Sequence, residues 1–138
     1  MATFPLELVT PERLLFSEEV QAVRAPGIDG SFGVLAGHAP LLTELTTGLI
    51  KIKRVDDTEA YIATSGGFMQ VSKEKVIILA DTAELSEEID VEKEQAAAAR
   101  ARQLLEVGDA SVDAEDLRQQ IEWAQNRVKI AQIHLTNR

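Results

Sequence analysis

The sequence predicts an α+β chain: an N-terminal antiparallel β-sandwich over residues 1–85, then a C-terminal antiparallel two-helix hairpin over residues 89–138. Two observations carry this. Up to Ala80 the apolar residues come in short runs, several alternating with polar ones, parted by Pro- and Gly-bearing turns and with no helical repeat between them. After Leu85-Ser86-Glu87-Glu88 the apolar spacing lengthens to three and four, and the composition shifts to Ala, Glu, Gln, Arg and Leu. A length of 138 residues fits a small domain plus an appendage.

Taken in order, Phe4, Leu6 and Leu8 alternate with Pro5, Glu7 and Val9, and Pro5 marks an edge or a strand start. Thr10-Pro11-Glu12 turns the chain. Leu14–Phe16 and Glu19–Ala25 are the next candidate strands, and Pro26-Gly27-Ile28-Asp29-Gly30 is a strong turn signal. Leu49–Lys53 alternates, Val55–Thr58 is a polar loop, and Glu59–Thr64 runs up to Gly66-Gly67. Phe68–Val71 follows. Val76–Ala80 is continuous and apolar, which predicts burial on both faces.

Between these lies Gly30–Leu45, with three glycines, Pro40 and the leucines 41, 42 and 45. Gly30, Gly33 and Gly37 suit positive φ or close backbone approach, and Pro40 disfavours a central strand. Two readings stay open: a tight corner with His38 half-buried, or a docking loop that presents His38 and anchors through its leucines.

In the C-terminal part, Asp90 suits an N-cap, with Glu92 and Glu94 in the first turn favouring the helix dipole. Ala97, Ala98, Ala101, Leu104 and Leu105 form an apolar stripe, and Gly108 suits the C′ position. Asp113 caps a second helix, with Val112 and Leu117 placed as a hydrophobic staple. Leu117, Ile121, Ala124, Val128, Ala131 and Leu135 recur at alternating spacings of four and three, an a/d seam. Gly108–Ser111 joins the helices into a hairpin. Its seam is small-sided and marginal alone, so it is expected to dock on the sandwich or on a partner and to be able to leave.

The formal net charge is −9, which removes any general attraction for nucleic acid or anionic lipid. The end is different: Arg118, Arg127, Lys129 and Arg138 stand against Glu122 alone between residues 118 and 138, a net of +3. There is no Cys, only His38 and His134, and no phosphate loop or nucleophile elbow. A catalytic or metal role for this chain is therefore not expected. No apolar run reaches transmembrane length.

Gly33-Val34-Leu35-Ala36-Gly37-His38-Ala39-Pro40-Leu41-Leu42, followed by Ser65-Gly66-Gly67-Phe68, resembles the epsilon subunit of bacterial and chloroplast F-type ATP synthases, delta in mitochondrial naming. The resemblance runs nearly end to end and is looser in the last third. It implies a non-catalytic subunit of the central rotor stalk. The sandwich would bind the gamma subunit and rest on the c-ring, and the hairpin would be a regulatory domain. Folded, the hairpin lies on the sandwich; extended along gamma among the alpha and beta subunits, it inhibits ATP hydrolysis. Such a protein sits on the cytoplasmic face of a bacterial plasma membrane, held there through the complex.

By the same resemblance, Gly30–Leu45 is the ring-facing region, with Asp29, Ser31, His38 and Leu42 as contact residues. Ser31 stands where relatives often carry an acid. Some members bind ATP on the folded hairpin through an I/L-D-x-x-R-A motif, which reads Ile89-Asp90-Val91-Glu92-Lys93-Glu94 here. Glu84, Asp90, Lys93 and Arg127 are then the candidate nucleotide ligands. Lys93 replaces Arg, Glu94 replaces Ala, and Trp123 stands one turn before Arg127 where an Arg is found. Lys cannot form Arg's bidentate contact and Glu94 would repel phosphates, so weak or absent ATP binding is expected and Asp90 is read first as an N-cap. No other cofactor is implied. Arg118, Arg127 and Lys129 are the expected inhibitory contacts with the catalytic head. The alternative function is an ATP-sensing module.

Overall fold

The computed structural model describes residues 2–108, 111 and 113–136, the last three of these by backbone alone. The expectations for Asp109, Ala110, Val112 and Arg138, and for the side chains of His134 and Leu135, lie outside the described residues. The chain divides into two compact units, Met1–Leu85 and Ser86–Arg138.

The first unit is all strand: β1 (Phe4–Val9), β2 (Leu14–Gly27), β3 (Gly30–Leu35), β4 (Leu41–Leu45), β5 (Gly48–Arg54), β6 (Glu59–Thr64), β7 (Gly67–Val71), β8 (Val76–Ala80) and β9 (Ala83–Leu85). Two hydrogen-bonded series share β2: β3–β2–β5–β6–β9, and β4–β7–β8–β1–β2. This is the expected sandwich. All strand pairs are antiparallel except β1 with β8, which run parallel from Leu6↔Val76 to Val9↔Leu79. Pro5 sits at the start of β1, where the strand has only β2 as its neighbour, so the missing donor does not interrupt the β1–β8 ladder.

The core is the set of inward residues of both layers, with Leu6, Leu8, Val20, Ile50, Ile52, Ile62, Met69 and Ile78 fully buried. β2 belongs to both layers because its inward phase changes midway. Phe16 and Val20 point inward on even positions, then Val23, Ala25 and Gly27 on odd ones. The register shifts between Val20 and Ala22, which leaves Gln21 as a bulge residue. Its Nε2 donates to Arg54 O at 2.8 Å and to Asp57 Oδ1 at 2.8 Å, which pins the bulge to the next strand. The phase break is why the sequence reads as two separate strands here. Pro26-Gly27, expected in the turn, ends β2, and the turn itself is Ile28-Asp29.

Two further expectations change. Val76–Ala80 is not buried on both faces: Leu79 is 54% exposed. β8 lies within one layer, so only Val76, Ile78 and Ala80 reach the core. Gly30–Leu45 is mostly strand, β3 and β4, with the loop confined to residues 36–40. Gly30 and Gly37 have φ of 128° and 84°, as foreseen, whereas Gly33 is an ordinary strand residue facing Arg24.

The second unit opens with a 3-10 turn at Ser86–Glu88 and holds α1 (Val91–Val107) and α2 (Ala114–Thr136) packed on each other. Asp90 caps α1, accepting from Lys93 N–H at 3.1 Å, and Gly108 ends it with a left-handed φ of 69°. Asp113 accepts from Glu115 N–H at 2.9 Å at the start of α2. The seam buries Ala98 and Ala101 of α1 with Leu117, Ala124 and Ala131 of α2. Leu104 departs from the expected stripe at 41% exposure, and Glu94 is buried in it instead. Ile130, off the a/d repeat, is also buried.

Candidate functional site

The residues expected to form one docking loop are spread over the sandwich. Asp29 and Ser31 are exposed at the β2–β3 turn, where Ile28 N–H donates to Glu44 O at 3.0 Å. His38 lies beyond the far end of β3, and Gly30 to Leu35 of an extended strand spans about 17 Å. The two ends carry separate clefts. One, of ≈ 250 Å³, is lined by Leu35, Gly37, His38, Lys73 and Lys75. The other, of ≈ 300 Å³, is lined by Ile28, Glu44, Thr47, Gly66 and Asp81. The structure thus does not bring Asp29 and Ser31 together with His38.

His38 is exposed and held in a local turn. Its backbone N–H donates to Leu35 O at 3.1 Å, and its Nδ1 lies 2.7 Å from Ala39 O, a carbonyl that can only accept, so Nδ1 donates. This is neither the half-buried corner residue nor a group oriented by a second side chain, as a general base would be.

Leu42 sits on the outer face between the two ends. The ladder pairs Leu42 with Gln70, Glu44 with Phe68, and Phe68 with Leu79, so all point outward on one layer. Leu42 is 69% exposed and Phe68 50%. With Leu79 they form an apolar strip on a face that would otherwise be polar in an antiparallel sheet. Leu42 is exposed, as a docking residue must be; Phe68 and Leu79 share its face, which the sequence did not indicate because their neighbours Met69 and Ile78 are core and alternation alone does not say which phase faces water. Gly67 supports the strip from below. Its φ is 140°, and a Cβ there would collide with the Leu79 carbonyl oxygen and come within 2.8 Å of Ala80 Cα. Only glycine lets β7 start this close to β8.

The candidate nucleotide residues fall in both units. Glu84 is in β9, opposite Ala63 of β6. Asp90 is committed to capping α1, and Lys93 supplies the capped N–H while its side chain is exposed. Arg127 is not presented to solvent: its Nη1 lies 2.6 Å from Glu94 Oε1, with the two side chains 16% and 8% exposed. Trp123 stands one turn earlier, its ring centre 5.4 Å from the guanidinium carbon, a cation–π contact of about 0.5–2 kcal/mol. Glu94, read from the sequence as a repeller of phosphate, is thus the anion that Arg127 holds. Nothing in the spacing of two residues on different helices shows that pairing.

Arg118 and Lys129 are exposed on α2, Arg118 with Glu115 at 3.7 Å. Of the three cations assigned to inhibition, Arg127 is therefore of a different kind. Elsewhere, Glu59 is held below the ordinary carboxylate value by the Tyr61 hydroxyl donating at 2.8 Å, and further by Lys51 at 3.1 Å. No group of acids and histidines able to hold a metal occurs among the described residues, and no described helix is long and apolar enough to cross a membrane.

Residues 3–86 match the family described as ATP synthase, Delta/Epsilon chain, beta-sandwich domain. The chain is 42% identical over 127 residues to the ATP synthase epsilon chain of Desulforamulus reducens, covering 92% of this chain and 96% of that one. To the ATP synthase epsilon chain of Moorella thermoacetica it is 44% identical over 131 residues, covering 95% and 98%. Among solved structures it is similar, with a TM-score of 0.80 and 28% identity, to a chain of the Euglena gracilis mitochondrial ATP synthase, covering 97% of this chain and 83% of that one. The sandwich, the two helices after it and this identity over nearly the whole of both chains together show that the chain belongs to the ATP synthase delta/epsilon chain family.

Proposed function

We propose that this chain is a non-catalytic rotor subunit of a proton-translocating ATP synthase. Its sandwich joins the gamma subunit to the c-ring, and its hairpin restrains ATP hydrolysis by reaching the alpha and beta subunits. The observation that carries this is the division of labour in the fold of a family member. A sandwich with a large apolar core exposes Leu42, Phe68 and Leu79, while a separate hairpin is closed over small side chains. The solved relative that it resembles is described as part of an assembly of OSCP, F1 and c-ring.

On this reading the two ends of the sandwich have different tasks. The exposed turn with Asp29 and Ser31 meets polar loops of the ring. The outward face that carries Leu42, Phe68 and Leu79 takes an apolar surface of the stalk, and His38 stands at the other end from Asp29 and Ser31. The chain is then held at the cytoplasmic face of the membrane through the complex alone. Arg118 and Lys129 would serve the inhibitory contact.

ATP hydrolysis by the assembled complex, with and without residues 89–138, tests this function. Removal of the helices should raise hydrolysis while the truncated chain still co-purifies with gamma. Unchanged hydrolysis would reject the regulatory half, and loss of co-purification by a folded truncation would reject the docking half.

The second reading, an ATP-sensing hairpin, has Glu84, Asp90, Lys93 and Arg127 as its ligands. The capping of α1 by Asp90 and the pairing of Arg127 with Glu94 both weigh against it. An ATP titration followed by amide NMR distinguishes the two: shifts confined to these residues would favour sensing.

A further inference from the structure

We propose that the Glu94–Arg127 pair, braced by Trp123, is a built-in latch that sets the ratio of closed to open hairpin without any bound ligand. Glu94 stands in the first turn of α1 and Arg127 in the middle of α2, so their 2.6 Å contact exists only while the helices lie side by side. Both side chains are nearly withdrawn from water, so parting them without exposing them forfeits their attraction while the desolvation cost of both charges remains. A partly opened hairpin is therefore disfavoured, and the pair makes closure close to all-or-none. Trp123, at the (i, i+4) position before Arg127, limits the rotamers open to the guanidinium.

The rest of the interface gives the pair its weight. Ala98 and Ala101 of α1 face Leu117, Ala124 and Ala131 of α2, and such small side chains bury little apolar area. Asp90 is occupied as the N-cap, and the Lys93 side chain is exposed. The anion that closes the hairpin is part of the chain itself. The latch deepens the regulatory reading above and rests on it only where hydrolysis is the readout.

Hydrogen exchange of the full-length chain, followed by mass spectrometry, tests the latch. Glu94→Gln and Arg127→Met should each lower protection of α1 and α2 amides about 100-fold, since each removes the charge pairing that ties the two helices together. The double variant should lose no more than a single one, a coupling of about 100-fold. Amides of the sandwich unit serve as the folding control and should be unchanged. Millimolar inorganic phosphate should leave wild-type protection as it is. Unchanged protection in the single variants, additive losses in the double, or protection of the wild type by phosphate would each overturn the latch. The same variants in the assembled complex should shift ATP hydrolysis. A loosened hairpin with unaltered hydrolysis would reject the regulatory reading and leave the latch standing as a property of the hairpin.

Discussion

The apolar strip makes a quantitative demand on assembly. Leu42 is 69% exposed, Phe68 50% and Leu79 54%, so a partner that covers them removes between half and two-thirds of each side chain from water. Full burial of a Leu or Phe is worth about 1.5–3 kcal/mol, which gives about 1–2 kcal/mol for each residue covered. The double variant Leu42→Ala with Phe68→Ala should then weaken binding to the rest of the stalk by about 2–3 kcal/mol, roughly 30- to 150-fold in Kd. In the free chain both side chains already face water, so the urea midpoint should change by no more than about 0.5 kcal/mol in equivalent stability. The assay is titration of the purified chain onto stalk and ring depleted of it, beside urea unfolding of the same preparations. Unaltered affinity would mean that the strip faces solvent in the complex. A loss of stability as large as the loss of affinity would mean that Leu42 and Phe68 serve the fold, and the argument from exposure would fail.

Three other outcomes are expected. Gly67→Ala should destabilise the sandwich by about 2–4 kcal/mol, because its Cβ meets backbone of β8 that cannot rotate away; urea unfolding measures it. Arg118→Gln with Lys129→Glu should lessen inhibition of hydrolysis and flatten its salt dependence while hairpin exchange changes little, since both groups are exposed and the Arg118–Glu115 pair is a solvated one worth no more than about 1 kcal/mol. Arg127 is unsuitable for that test, because its reversal would set a carboxylate against Glu94. Tyr61→Phe should raise the Glu59 pKa toward its ordinary value of 4.5, read by carboxyl NMR titration. The sign follows from the lowered folded value: Glu59 contributes stability above the ordinary Glu range and loses it as pH falls through its own lower pKa, so the variant should lose less on acidification.

What the sequence determined by itself was the local chemistry. Asp90 and Asp113 cap helices because a short acid ahead of a helix-forming run has free N–H groups within reach, and Gly108 ends α1 because only glycine takes its left-handed φ without strain. Alternation placed Phe4, Leu6 and Leu8 inside, and the change of period after Leu85 marked where strands stop and helices begin. The motif around Gly37-His38 and Ser65-Gly66-Gly67 carried the family. The tertiary structure decided what depends on which distant residues meet. The bulge at Gln21 switches the inward phase of β2 and lets one strand serve two layers, a consequence of pairing with β5 that no local pattern contains. Leu79 faces water although its run is wholly apolar, because β8 lies within a layer that has core on one side only. Asp29 and His38, nine positions apart, stand at opposite ends because the six extended residues of β3 lie between them. Glu94 and Arg127, thirty-three positions apart, meet because the helices turn back on each other, and that meeting converts a charge that looked fit to repel a ligand into the partner of a buried arginine.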